Sequence, residues 1–156
     1  MMRDIRTLLL SSELRHVAVE VARLFEDLER AGPPDRPARS EECVPPLDVI
    51  ETETEVEVVL DVPGVRASQI RVLVKNGTVI VAGEKLPSDA STRSEASFHL
   101  VERSFGRFAR AVQLSGALDA GRAQARLKHG QLRVSIPKVA DRRGQEIAVP
   151  VAEQDQ

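Results

Sequence analysis

The spacing of apolar residues changes once along the chain, from a helical period to a period of two. Leu10, Leu14, Val17, Val21, Leu24 and Leu28 step by 4, 3, 4, 3 and 4 residues, which puts them on one face of an amphipathic helix within residues 5–30. Ser11 and Ser12 offer this helix a start and Gly32-Pro33-Pro34 a stop. The stretch AGPPDRPARSEECVPP follows, with five prolines among sixteen residues and several charges, and it predicts an extended linker that tethers the helix to what comes next. After Pro46, LDVIE and EVEVVLDV alternate apolar with acidic residues as half-buried strands do, and Pro63-Gly64-Val65 supplies a turn. QIRVLVK and TVIVAGE flank Asn76-Gly77, whose tolerance of positive φ suits a two-residue hairpin. LPSDASTRSEAS reads as a loop, FHLVER as a short strand, and FARAVQL as another strand after a turn at Gly106. AQARLK and QLRVSIP flank His129-Gly130, a second hairpin in which the histidine must enter the left-handed region. About eight short strands with no interleaved helices predict an all-β fold, an antiparallel β-sandwich.

Composition narrows what such a sandwich does. A length of 156 residues suits one domain with arms. Lys+Arg 22 against Asp+Glu 24 leaves a net charge of −2, and the cations are scattered, so a nucleic-acid partner is not expected. The one cysteine, Cys43, cannot close an intramolecular disulfide, and no Cys or His cluster has zinc spacing; the reducing cytoplasm is the simplest compartment. No apolar run approaches the roughly 18 residues of a membrane span, and LLL at 8–10 lacks an adequate h-region and cleavage site, so neither a span nor secretion is expected. Tyr and Trp are absent and Phe numbers four, which removes the usual stacking platforms for bases or sugars. His16, His99 and His129 have no Ser or Cys partner at interpretable spacing, and AGEK at 82–85 lacks the earlier glycine and the following Ser or Thr of a phosphate loop. No catalytic residue, cofactor or metal is expected.

The order of motifs resembles the small heat-shock protein, or α-crystallin, family in its bacterial and plant branch. The resemblance runs through PPLDVIETETEVEVVLDVPGV, IRVLVKNGTVIVAGEK, ERSFGRFARAVQL and ARLKHGQLRVSIPK, and it includes the family's Ala125…Gly130…Leu132 element. His129 stands where the family usually has Asn, and Leu114-Ser115 where it usually has Leu-Pro. The resemblance implies an immunoglobulin-like α-crystallin sandwich over 46–139, a helical N-terminal arm and Pro-rich linker over 1–45, and an extended C-terminal tail over 140–156. It implies an ATP-independent holdase: a chaperone that keeps partly unfolded client proteins soluble under stress and assembles into homo-oligomers from strand-exchanged dimers, with release by subunit exchange or handover to ATP-dependent chaperones. In that scheme FHLVER, with Phe98, Leu100, Glu102 and Arg103, pairs with the Leu47 and Val49 strand of a partner. Arg110, in FARAV at a position where the family carries an arginine, would with Glu102 and Arg103 form intersubunit ion pairs; each of the three reads equally well as a solvated strand face.

Two apolar segments outside the sandwich have competing readings. The helix can pack on its own sandwich, but the proline-rich linker and heptad-like stepping weigh toward contact with other copies or clients through Leu10, Leu14, Val17, Val21, Leu24, Phe25 and Leu28. The tail segment QEIAVPV at 145–151 places Ile147, Val149 and Val151 at alternate positions after the charged spacer ADRRGQE. A ninth strand is one reading. By the family resemblance, Ile147 and Val149 instead dock in a neighbour's groove between strands 69–75 and 123–128, with Val72, Val74 and Leu127 as groove residues, and Pro150 keeps the segment extended and short of one donor. Cys43 reads as incidental, with redox control of assembly as the other possibility. A different class of function, a monomeric or dimeric co-chaperone or scaffold module binding one defined partner, is compatible with a sandwich but has no use for the arm or the tail.

Overall fold

A computed structural model describes residues 11–32, 43–87, 97 and 99–139. Helix α1 (Ser11–Ala31) precedes seven strands: β1 (Leu47–Glu51), β2 (Glu55–Asp61), β3 (Ile70–Lys75), β4 (Thr78–Lys85), β5 (Gly106–Gln113), β6 (Gln124–Lys128) and β7 (Gln131–Pro137). The strands form two antiparallel sheets, β1-β2-β7-β6 and β3-β4-β5, packed as a sandwich. Alternation decides which side chains enter it. Val56, Val58 and Leu60 of β2 meet Leu132, Val134 and Ile136 of β7 in register and face Val79 and Val81 of β4 and Phe108 of β5 across the core. Both hairpins form as expected: Asn76 and Gly77 have φ of 51° and 74°, and His129 and Gly130 have 51° and 76°. Two positive φ values in succession give the turn twist that matches paired strands, and histidine takes the position that asparagine or glycine fills more readily.

Within one copy of the chain, the strand expected over 98–103 does not form among the described residues. Phe98 lies outside the described residues, and 99–103 pair with no described strand; Leu100 is 75% exposed. A strand needs an edge to complete its hydrogen bonds, and the β5 carbonyl of Arg107 is already taken by the Cys43 N–H at 3.0 Å. Cys43 is therefore anchored at the sandwich. Its thiol is buried in the core cluster, and Ser104 Oγ donates to its sulfur at 3.5 Å.

The second difference concerns α1. Strand β4 is buried on both faces: Val79 and Val81 point into the sandwich, while Ile80 and Ala82 point outward and are covered by Leu24, with Val17, Val21 and Phe25 beside it. The near-continuous apolar run TVIVAG follows from this double burial, since a sheet with one wet face alternates and a sheet covered on both does not.

Candidate assembly and client-binding surfaces

In an antiparallel sandwich the open chemistry lies at the edges. β1 and β6 end the four-stranded sheet and β3 and β5 end the three-stranded one. A small cavity of about 150 Å³ is lined by Val49 and Glu51 of β1, Val56 of β2, and Val112 to Ser115 at the end of β5, so the β1 and β5 edges share one flank. The order of strands then leaves β3 and β6 on the other flank. The β1 residues expected in strand exchange lie on the first flank, and the expected groove residues of β3 and β6 on the second.

On the first flank, Leu47 packs on the core while Val49 and Ile50 are exposed, and β1 is paired only with β2 among the described residues. Leu100 and Val101 also stand exposed. Glu102 is exposed, and Arg103 stacks its guanidinium 4.7 Å from the ring centre of Phe105, with Lys85 at 5.6 Å from the same ring. Arg110 donates from Nη1 to the carbonyl of Pro45, holding the linker against β5. The sequence had weighed Arg110 for contacts between subunits, and this hydrogen bond lies within the chain. On the second flank, Val72 and Val74 of β3 and Leu127 of β6 are half-buried and pack against the core, an apolar strip between two edges that have no outer partner among the described residues. Ile147 and Val149 lie outside the described residues.

The helix departs from the expectation that its apolar face serves other molecules. Val17, Val21, Leu24 and Phe25 lie against Ile80, Ala82, Leu73 and Ala111 of its own second sheet. Leu28 is buried as well, Leu14 stays 53% exposed, and Leu10 lies outside the described residues. Linker composition does not exclude docking, because a tether sets reach and not destination.

Two ion pairs that the sequence reading missed bracket this contact. Glu20 is 6% exposed, and Lys75 Nζ at the end of β3 donates to its Oε1 at 2.6 Å; His16 and Arg23 flank it on the helix at 3.9 Å. Nine residues further, Glu29 accepts from Arg107 Nη2 of β5, whose guanidinium also lies 5.2 Å from the ring centre of Phe25. A signal for Glu20 was present, because position 20 is three residues after Val17 and four before Leu24, inside the apolar stripe.

The hydrogen bond from Lys75 holds the Glu20 carboxyl below its ordinary value of 4.5; burial opposes this, and the charges of Lys75, His16 and Arg23 reinforce it. A lowered carboxylate pKa stabilises docking above the ordinary value, and that contribution fades as pH falls through the lowered one. Glu20→Gln is therefore expected to speed amide exchange across α1 at neutral pH, and the gap from wild type should close as pH falls below about 4.5. Exchange rates that differ equally at neutral and acid pH would show that the carboxylate charge plays no part.

The comparisons agree with this geometry. The family model described as Hsp20/alpha crystallin family matches residues 48–152. The chain is 30% identical over 116 residues to "Heat shock protein 16" of Schizosaccharomyces pombe, covering 74% of this chain and 81% of that one. It is 38% identical over 96 residues to the "21.9 kDa heat shock protein" of Oryza sativa subsp. japonica, covering 57% of this chain and 47% of that longer relative. Among solved structures, a small heat-shock protein from Xylella fastidiosa superposes with a TM-score of 0.60 at 30% identity, over 70% of this chain and 98% of that one. Motif order, sandwich topology and relatives lead to one assignment: the chain belongs to the Hsp20/alpha crystallin family of small heat shock proteins.

Proposed function

We propose that this protein is an ATP-independent holdase that binds partly unfolded proteins and assembles into homo-oligomers from strand-exchanged dimers. Small heat shock proteins are ATP-independent chaperones and not enzymes. The observation that carries the finer reading is the pair of unsatisfied strand edges. β1 has no outer partner among the described residues while the apolar segment with Leu100 and Val101 has no strand to join, a complementary lack that two copies of the chain can relieve together. Residues 98–103 of one copy then extend the β1 edge of the other. On the opposite flank, Ile147 and Val149 of a neighbouring copy fill the strip over Val72, Val74 and Leu127 and link dimers into larger assemblies.

Clients are held by apolar contact, which is non-directional and therefore broad in specificity. Release follows subunit exchange or handover to ATP-dependent chaperones. A buried cysteine kept as a thiol fits the reducing cytoplasm as the working compartment. Among the described residues no helix is long and apolar enough to cross a membrane.

The test is light scattering from a heat-labile client protein. Substoichiometric amounts of the full chain should suppress aggregation equally with and without ATP, and unchanged scattering would overturn the holdase reading. Native mass separates it from an adaptor that binds one defined partner: a large assembly is expected, whereas a species near the 17.1 kDa chain mass would favour the adaptor.

A further inference from the structure

We propose that the outer face of the β1-β2-β7-β6 sheet is a binding site for a short phosphate chain, held by Arg122, Arg126 and Arg133. The proposal goes beyond the chaperone reading and does not rest on it.

Alternation builds the site. With Val56, Val58, Leu132, Val134 and Leu127 turned to the core, their neighbours Glu57 of β2, Arg133 and Ser135 of β7, and Arg126 of β6 turn outward. They line a cavity of about 490 Å³ together with Glu55 and with Arg122, the last residue of a single 3-10 turn, Ala120–Arg122, that leads into β6. This volume falls in the range of small-ligand sites. The helix covers the other sheet, and the three arginines here stand exposed.

The charges on this face are out of balance at one place. Register sets Arg126 directly opposite Arg133. Partners in an antiparallel ladder have Cα atoms about 5 Å apart, and like charges so placed destabilise the sheet. Among the described residues only one of the two has a counter-ion. Arg133 Nη1 donates to Glu57 Oε2 at 2.5 Å, and Ser135 Oγ donates to the other oxygen at 3.3 Å, so this carboxylate is already engaged. Arg126 donates to the neutral Gln124 Oε1 at 3.0 Å, and neither it nor Arg122 is in an ion pair among the described residues. Both carboxylates of the cavity, Glu55 and Glu57, belong to β2, so an anion settles on the opposite side, over β6 and β7.

The spacing of the arginines selects the ligand. The Arg126 and Arg133 pair aims two guanidinium forks at one position. A carboxylate has two oxygens and fills one fork, whereas a phosphate has oxygens for both. Arg122 lies four residues before Arg126, at most about 14 Å along the chain, so further phosphates running along β6 reach it. No aromatic side chain among the described residues lines the cavity, which leaves the phosphate chain, and not a base, as the part that is read. Bound there, the anion bridges the like-charged pair and ties the edge strand β6 to β7.

The experiment is isothermal titration calorimetry of the full chain with inorganic tripolyphosphate at low ionic strength, where exposed charges are least screened. Saturable binding is expected, and Arg126→Gln and Arg122→Gln should each weaken it about tenfold, the loss of one charge-assisted contact. Arg30→Gln removes an equal charge from the exposed side of α1 and should leave the affinity unchanged. Absence of saturable binding to the wild-type chain, or equal weakening in all three variants with wild-type circular dichroism, would overturn the site. Two further ligands identify the chemistry. Adenosine triphosphate should bind as tightly as tripolyphosphate, since the phosphate chain is shared; affinity more than tenfold higher would overturn a site that reads phosphate alone. Hexaglutamate should bind at least tenfold more weakly, and equal affinity would overturn the choice of phosphate over an acidic peptide. None of these readouts depends on client protection or oligomer mass.

Discussion

Replacing Gly83 with alanine is expected to lower the melting temperature of the sandwich by roughly 10–20 °C, corresponding to a loss of about 3 kcal/mol. A Cβ at this position would collide with Phe108 Cζ and meet the Gln69 carbonyl oxygen at 2.9 Å. Gly83 and Phe108 sit opposite each other on β4 and β5, and the ring is 1% exposed, so it has nowhere to go. An aromatic ring laid over a strand glycine fills the space that a side chain would occupy, and the two residues then depend on each other. Gly121→Ala is the control, since its nearest neighbour would be the Asp119 carboxylate at 3.4 Å, an ordinary contact. Thermal unfolding by circular dichroism decides the matter. Pairing Gly83→Ala with Phe108→Leu should recover part of the loss through non-additivity, and strict additivity would show that the clash with the ring is not the cause.

The largest effect on assembly is expected from the tail. Ile147→Ala with Val149→Ala should collapse the oligomer toward dimers while leaving the sandwich folded. Burying two branched side chains gains on the order of 3–6 kcal/mol gross, and ordering the tail costs several of these, so one docked tail is weak. Many tails in one assembly hold firmly through effective concentration. Native mass spectrometry of the full-length double variant gives the readout, with circular dichroism to check the fold. An unchanged oligomer mass would remove the tail from the assembly scheme, and a loss of β-sheet signal would show that it serves the fold of its own domain.

The sandwich was legible because strand period, turn chemistry and register are local. Asn76-Gly77 and His129-Gly130 sit between alternating apolar runs, and the structure closes a hairpin at each. The segment 98–103 was legible only in its composition. FHLVER has the composition of a strand, but a strand is a relation between two segments, and composition does not reveal whether a partner lies in the same chain. The groove candidates Val72, Val74 and Leu127 were named from the resemblance. The structure places them half-buried on the two edge strands of one flank, which alternation by itself could not show.

The helix shows where sequence stopped. Its amphipathic face was plain from spacing, and so was its end before Gly32; what that face rests on was not. Two clues lay in separate places. TVIVAG has too many consecutive apolar residues for a sheet with one wet side, and Glu20 interrupts the buried stripe of α1. Only folding brings Lys75 to Glu20 and Arg107 to Glu29, residues 55 and 78 positions apart. The sequence by itself determined the elements, the turns and the family, because each follows from residues near in the chain or from motifs in fixed order. The tertiary structure decided which strand edges stay open, that Cys43 enters the core, and that α1 covers the second sheet, because burial and charge pairing depend on distances in space that the spacing of residues does not specify.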